Sequence, residues 1–155
     1  MLRRLYHYFA NRDGATVMEF ALVGPILVLL LMGALEFGLL LWATAVLDTA
    51  TASGARLGKI GFNQSFISTE MDRLSAGLLD PARLSIQESS YSSFSSLQGG
   101  GAGASGTGSG GDAVVYTVTY PWPIFTPLLQ HILPNTQGNY IITVTTAVRN
   151  EPFTP

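Results

Sequence analysis

Arg12-Asp13-Gly14-Ala15-Thr16-Val17-Met18-Glu19-Phe20, followed by an apolar run ending at Trp42, is the stretch whose reading decides the rest of the chain. No charge occurs between Phe20 and Leu35, and Glu36 is the only one between Phe20 and Asp48. At the rise of an α-helix, Ala21 to Trp42 would span roughly 33 Å, enough to cross the hydrocarbon core of a bilayer. A water-soluble domain has no use for so long a helix that is apolar all round. The stretch therefore reads as a single membrane anchor.

Ahead of it, residues 1–13 hold Arg3, Arg4 and Arg12 against Asp13. This excess of arginine predicts a cytoplasmic N-terminus and an exported C-terminus. The apolar run is longer than the core of a cleaved secretory signal, and no clean small-residue cleavage site follows it. Glu19 is the unusual residue, because a carboxylate at the mouth of a membrane span is costly unless it has a partner. A cut between Gly14 and Ala15 would create an α-ammonium one helical turn from Glu19. Neighbouring subunits could then pair that ammonium with Glu19 and neutralise both charges on assembly.

The basic leader, Gly14 at the junction, the glutamate five residues on and the apolar helix resemble the class III signal peptides of type IV pilins and pseudopilins. The fuller string Gly14-Ala-Thr-Val-Met-Glu19-Phe-Ala-Leu-Val-Gly-Pro25, with Gly33-Ala-Leu-Glu36-Phe-Gly38 after it, resembles the TadE-like proteins of tight-adherence (Flp, type IVb) pilus systems. The Tyr120-Pro121-Trp122-Pro123 stretch and the ending Arg149-Asn150-Glu151-Pro152 are similar to that family as well. The resemblance implies a pseudopilin or minor pilin that takes part in pilus assembly and is cut by a prepilin peptidase at Gly14/Ala15, with Glu19 as the assembly residue. Its partners would be the inner membrane, the peptidase, other pilins or pseudopilins and the assembly platform. The protein would sit in the bacterial inner membrane as a single-pass chain, or in an extracellular pilus after processing. Two other readings stand beside this one: an unprocessed single-pass assembly factor of the pilus or secretion machinery, and an anchored enzyme of unknown type.

Within the anchor, Pro25 removes one helical hydrogen bond and predicts a kink or loosening near Ala21–Pro25. Gly33 and Gly38 are small positions where another helix could approach, and they are candidate membrane-partner contacts together with Glu36. Glu36 could equally be a carboxylate that only reaches the outer headgroups. Trp42 suits the outer aromatic belt.

The remainder is expected to form one small α+β domain, in which the long helix continues into a pilin-like exported domain with an antiparallel sheet of about three strands. The resulting division is residues 1–14 as a cleaved leader, 15–47 as the membrane helix and 48–155 as the exported domain, with a flexible glycine-rich loop over 98–112. Ala43, Leu47, Ala50, Gly54, Leu57 and Gly58 recur at helical spacing as a stripe of small side chains, suited to close packing on a strand surface. Gly61 would cap that helix. A second helix is predicted over Thr69–Leu79, with Glu70 and Asp72 in its first turn and Met71, Leu74, Leu78 and Leu79 on its apolar face. Strands are predicted at Leu84–Ile86, at Ala113–Tyr120 (Val114, Tyr116, Val118 and Tyr120 on one face) and at Tyr140–Arg149 (Ile142, Val144 and Val148 on one face). The Tyr-Pro-Trp-Pro sequence should break the second of these. Pro127 suits the first turn of a short helix, and Asn135–Gly138 reads as a turn. The serine-rich residues Ser89–Ser96 show no assignable period.

Composition argues against several chemistries. The net charge of −2 gives no basic field for nucleic acid. Cysteine is absent, which removes disulfides, thiolate metal sites and cysteine nucleophiles. Glycines at 98–112 lead into a strand with no Gly-Lys-Ser/Thr, the wrong context for a phosphate loop. His7 and His131 lack a serine or carboxylate at a motif spacing, and no serine-hydrolase elbow is present. The chain reads as a non-enzyme with no cofactor, no metal and no evident small-molecule substrate.

Overall fold

In the computed structural model, which describes residues 13–59, 65–134 and 136–152, one helix, α1 (Asp13–Gly58), accounts for 46 residues and about 69 Å of length. The leader arginines and Gly61 lie outside the described residues. From Val17 to Trp42 the large apolar side chains of α1 other than Leu40 are exposed, as expected of a helix whose surroundings are lipid. The helical assignment runs through Pro25, although proline leaves the Ala21 carbonyl without its i+4 donor. The Phe20 ring lies close to Gly24 beside this point.

Burial begins at Glu36 and continues along one stripe: Leu40, Ala43, Leu47, Ala50, Gly54 and Gly58. These positions follow the three- and four-residue spacing that keeps one helical face turned toward a partner. The partner is a four-stranded antiparallel sheet of order β2-β1-β3-β4, made of β1 (Ser85–Tyr91), β2 (Ala104–Ser105), β3 (Ala113–Pro123) and β4 (Asn139–Arg149). A second helix, α2 (Ser65–Ser75), packs beside α1. Val114, Tyr116, Val118, Tyr120 and Trp122 of β3 and Ile142 and Val144 of β4 point into the core. The alternation expected for these two strands is the one observed.

Four expectations need correction. The sheet has four strands rather than three, because residues 104–105 of the glycine-rich segment pair with Ser89 and Ser90 of β1. Strand β1 continues to Tyr91 through the serines, since β3 offers it a full antiparallel ladder from Ser85↔Thr119 to Tyr91↔Ala113; pairing outweighs the weak strand preference of serine. Strand β3 is not broken at Tyr120. It runs through both prolines, where β1 no longer lies alongside and a missing N–H leaves no ladder bond unmade. There the Arg83 guanidinium donates to the Pro121 carbonyl at 2.6 Å. Helix α2 starts and ends four residues earlier than predicted. Its buried residues are Ile67, Met71 and Ser75, and Ala76 and Gly77 at positive φ close it with a bond from the Gly77 N–H to the Asp72 carbonyl. Leu79 is buried, whereas Leu78 is 64% exposed.

The glycine-rich segment is tied down at several points. The Asn150 amide donates to the carbonyls of Thr107 and Ser109, and the Gly106 N–H donates to the Glu88 carbonyl. A short helix, α3 (Phe94–Gln98), precedes it, opened by a reciprocal Ser93–Ser96 capping box. At the other end, α4 (Pro127–Ile132) begins with proline as expected. Gln137 and Gly138, both at positive φ, make the tight turn between Thr136 and Asn139.

Two glycines set the distance between α1 and the rest of the core. A Cβ at Gly54 would lie 2.1 Å from Ile67 Cγ1, and one at Gly58 would lie 2.1 Å from Tyr116 Oη. A Cβ at Gly33 or Gly38 would meet nothing. Gly54→Ala and Gly58→Ala are each expected to destabilise the domain by about 1–3 kcal/mol through overpacking. Gly33→Ala and Gly38→Ala should not. Urea unfolding of the full chain in detergent micelles, followed by tyrosine and tryptophan fluorescence, measures the difference.

Tyr116 adds a pH dependence. Its hydroxyl is buried without a hydrogen-bond partner, and burial first, then the nearby Glu88 charge, raise its pKa above the ordinary value of 10.0. The folded state therefore favours the neutral phenol. That contribution is fully present below pH 10 and is lost as pH rises through the raised value, because the unfolded phenol ionises first. Tyr116→Phe should keep the fold and flatten the decline in stability above pH 10, as read from unfolding midpoints across an alkaline series.

Candidate functional site

All of the sequence-predicted site residues lie on α1, which sets their geometry. The Gly14–Ala15 bond falls in its first turn, where backbone N–H groups have no helical acceptor. Gly14 is exposed and its surroundings are open. Glu19 is exposed, one turn further on, and its carboxylate has no hydrogen bond or ion pair among the described residues. Among the described residues nothing in this part of the helix pairs with Glu19.

Gly33 and Gly38 lie on an open stretch of the helix. Five residues apart, they face directions that differ by about 140°, so a single straight partner helix could use one of them but not both.

Glu36 has a different environment. It is 6% exposed, and its carboxylate accepts two backbone hydrogen bonds, from the N–H of Phe125 to Oε1 at 2.6 Å and from the N–H of Thr126 to Oε2 at 2.7 Å. No cation lies within ion-pair distance among the described residues. Charge-assisted bonds to two converging amides are the kind of interaction that lets a carboxylate remain buried. Thr126 is the N-cap of α4, and its own side chain makes no capping bond. Glu36 therefore plays, from another element, the part that a glutamate at the third position of a helix plays in a capping box. The bond ties residues 89 and 90 positions apart in sequence, and it fastens the loop of residues 124–126 and α4 to the anchor.

Periodicity could have found this. Extending the small-residue stripe from Ala43 backwards by three and then four residues gives Leu40 and Glu36, the first two members of the buried face. No local signal in residues 124–126 marks them as the partner.

The His131 Nδ1–H donates to the Pro127 carbonyl at 2.8 Å, within its own short helix. Among the described residues no three His, Cys, Asp or Glu side chains gather as metal ligands would.

Among the described residues one helix is long and apolar enough to cross a membrane, which suggests membrane anchoring, and a small α+β domain is carried on the continuation of that helix. Residues 14–56 match the family model described as TadE-like protein, a match that begins at Gly14 and includes Glu19, Gly33, Glu36 and Gly38. The chain thus carries a TadE-like anchor region, and such a region points to a protein associated with a tight-adherence pilus. The sheet lies beyond the matched residues. No curated protein and no solved structure matches the chain.

The Glu36 bonds lead to an expected outcome. Glu36→Leu should orphan two amides at about 1–3 kcal/mol each, although leucine suits a membrane helix better. Glu36→Gln, which keeps one acceptor oxygen, should lie between. Hydrogen exchange of the full chain in detergent is expected to show faster exchange in the segment containing Phe125 and Thr126 in both variants, greater for Glu36→Leu, with little change in β1.

Proposed function

We propose that this protein is a TadE-like pseudopilin or minor pilin of a tight-adherence pilus. A prepilin peptidase processes it between Gly14 and Ala15, and Glu19 holds it in the assembly. The leader arginines retain the N-terminus on the cytoplasmic side of the inner membrane and leave the sheet domain exported. After cleavage the Ala15 ammonium of one subunit pairs with Glu19 of its neighbour at the cytoplasmic edge of the membrane. In a low dielectric that pair is strong, and the loss of either member leaves the other charge uncompensated. The reading rests on one observation above all. Within a TadE-like region, Glu19 is exposed and its carboxylate is unpaired among the described residues, one turn from a glycine at the helix start. Glycine before the cut admits the backbone to a site that a Cβ would obstruct.

Mass spectrometry of the protein from peptidase-positive membranes should find Ala15 as the first residue, and Gly14→Val should leave residues 1–14 attached. Glu19→Gln should be cut and inserted normally yet be lost from complexes that co-purify with pilus components. An intact Met1 on the wild-type protein would refute the processing. Normal piliation by Glu19→Gln would reduce Glu19 to an interfacial residue.

A further inference from the structure

The bonds made by Glu36 set the depth at which the sheet domain meets the membrane. The charge-free part of α1 starts after Glu19, and about twenty helical residues cover a hydrocarbon core of roughly 30 Å. Counted from Phe20, that distance ends near Leu39, just short of Trp42. Glu36 lies about 9 Å along the helix to the membrane side of Trp42. Helical side chains lean toward the N-terminus, so its carboxylate sits no further out than its own Cα. The N–H groups of Phe125 and Thr126 are within 2.7 Å of that carboxylate. This loop therefore lies at the level where hydrocarbon gives way to headgroups.

The residues at this end of the domain have the matching character. Phe125 is 67% exposed, Ile132 66% and Leu78 64%, although each could have been polar at no cost to the core. Leu78 and Phe125 line one recess with Leu39 of the anchor, and α4, which carries Ile132, packs against α1. The patch is thus continuous with the exposed apolar surface of the anchor, to which Leu35 and Leu39 belong. Asp80 and Arg83 stand at the polar side of the same recess.

We propose that the anchor-side end of the sheet domain is inserted into the membrane interface, with Leu78, Phe125 and Ile132 entering the boundary between headgroups and acyl chains beside α1. The inference rests on α1 spanning the bilayer and is independent of processing at Gly14. The domain is then held to the membrane at two points, by Glu36 from within and by this apolar edge from without. Any movement of the subunit out of the bilayer must withdraw three large apolar side chains as well as the anchor.

The native chain has no cysteine, so single cysteines can carry a nitroxide label. Phe125→Cys, Ile132→Cys and Leu78→Cys are labelled in the full chain reconstituted in phosphatidylcholine–phosphatidylglycerol vesicles. Leu29→Cys in mid-anchor and Ser105→Cys on the far strand β2 give the lipid and water references. Collision rates with oxygen, which partitions into lipid, and with a water-soluble nickel chelate report depth. The three test labels should collide with the chelate several-fold less than the Ser105 label and with oxygen several-fold more. If they match Ser105 while Leu29 lies in lipid, the insertion is wrong and the anchor stands. If Leu29 meets the chelate freely, the anchor fails and the insertion with it. Test labels shielded from both reagents would mean that protein, not lipid, covers the edge, which also overturns the proposal.

Discussion

A single stripe of α1, from Glu36 through Leu40, Ala43, Leu47, Ala50 and Gly54 to Gly58, carries everything outside the membrane. The constraint is steric before it is hydrophobic. Glycine at positions 54 and 58 lets the helix backbone come close enough for Ile67 and Tyr116 to fill the space a side chain would occupy. At that separation the inward faces of β3 and β4 close over the helix, and α2 covers its flank. Because the same helix is the membrane anchor, the sheet has no flexible joint with the bilayer. The tilt of one determines the tilt of the other.

Two carboxylates on this helix show how environment assigns a role. Glu19 and Glu36 both interrupt an apolar sequence, and composition treats them alike. Glu36 belongs to the buried stripe and is satisfied by two amides of its own chain. Glu19 lies about 100° away from that stripe around the helix and well beyond the reach of the domain. Its carboxylate makes no bond among the described residues. One carboxylate fastens the domain to the anchor, and the other is exposed. This division is what makes an assembly role for Glu19 the economical reading in a TadE-like region.

The polar half of the sheet follows a different rule from the core half. Strands β3 and β4 alternate strongly and need little help to be recognised. Strand β1 is rich in serine and β2 is two residues long; β3 templates β1, and β1 in turn pairs β2. Asn150 then gathers the glycine-rich backbone with its amide, while its own N–H donates to the Asp112 carbonyl. Polar side chains and turns take over where apolar area is lacking.

The amino-acid sequence by itself determined the anchor, the spacing of Gly14 and Glu19, the small-residue stripe and the inward faces of β3 and β4. These are properties of periodicity and composition, which record the solvent that each residue will meet. The tertiary structure alone decided the fourth strand, the passage of β3 through Pro121 and Pro123, the bounds of α2 and the partner of Glu36. Each of these depends on which distant backbone groups arrive opposite one another. A proline is harmless where no neighbouring strand needs its N–H, and a buried glutamate is stable only where two amides from residues 125 and 126 converge on it. Neither condition is written in the residues adjacent to the proline or the glutamate, so it becomes visible only once the chain has folded.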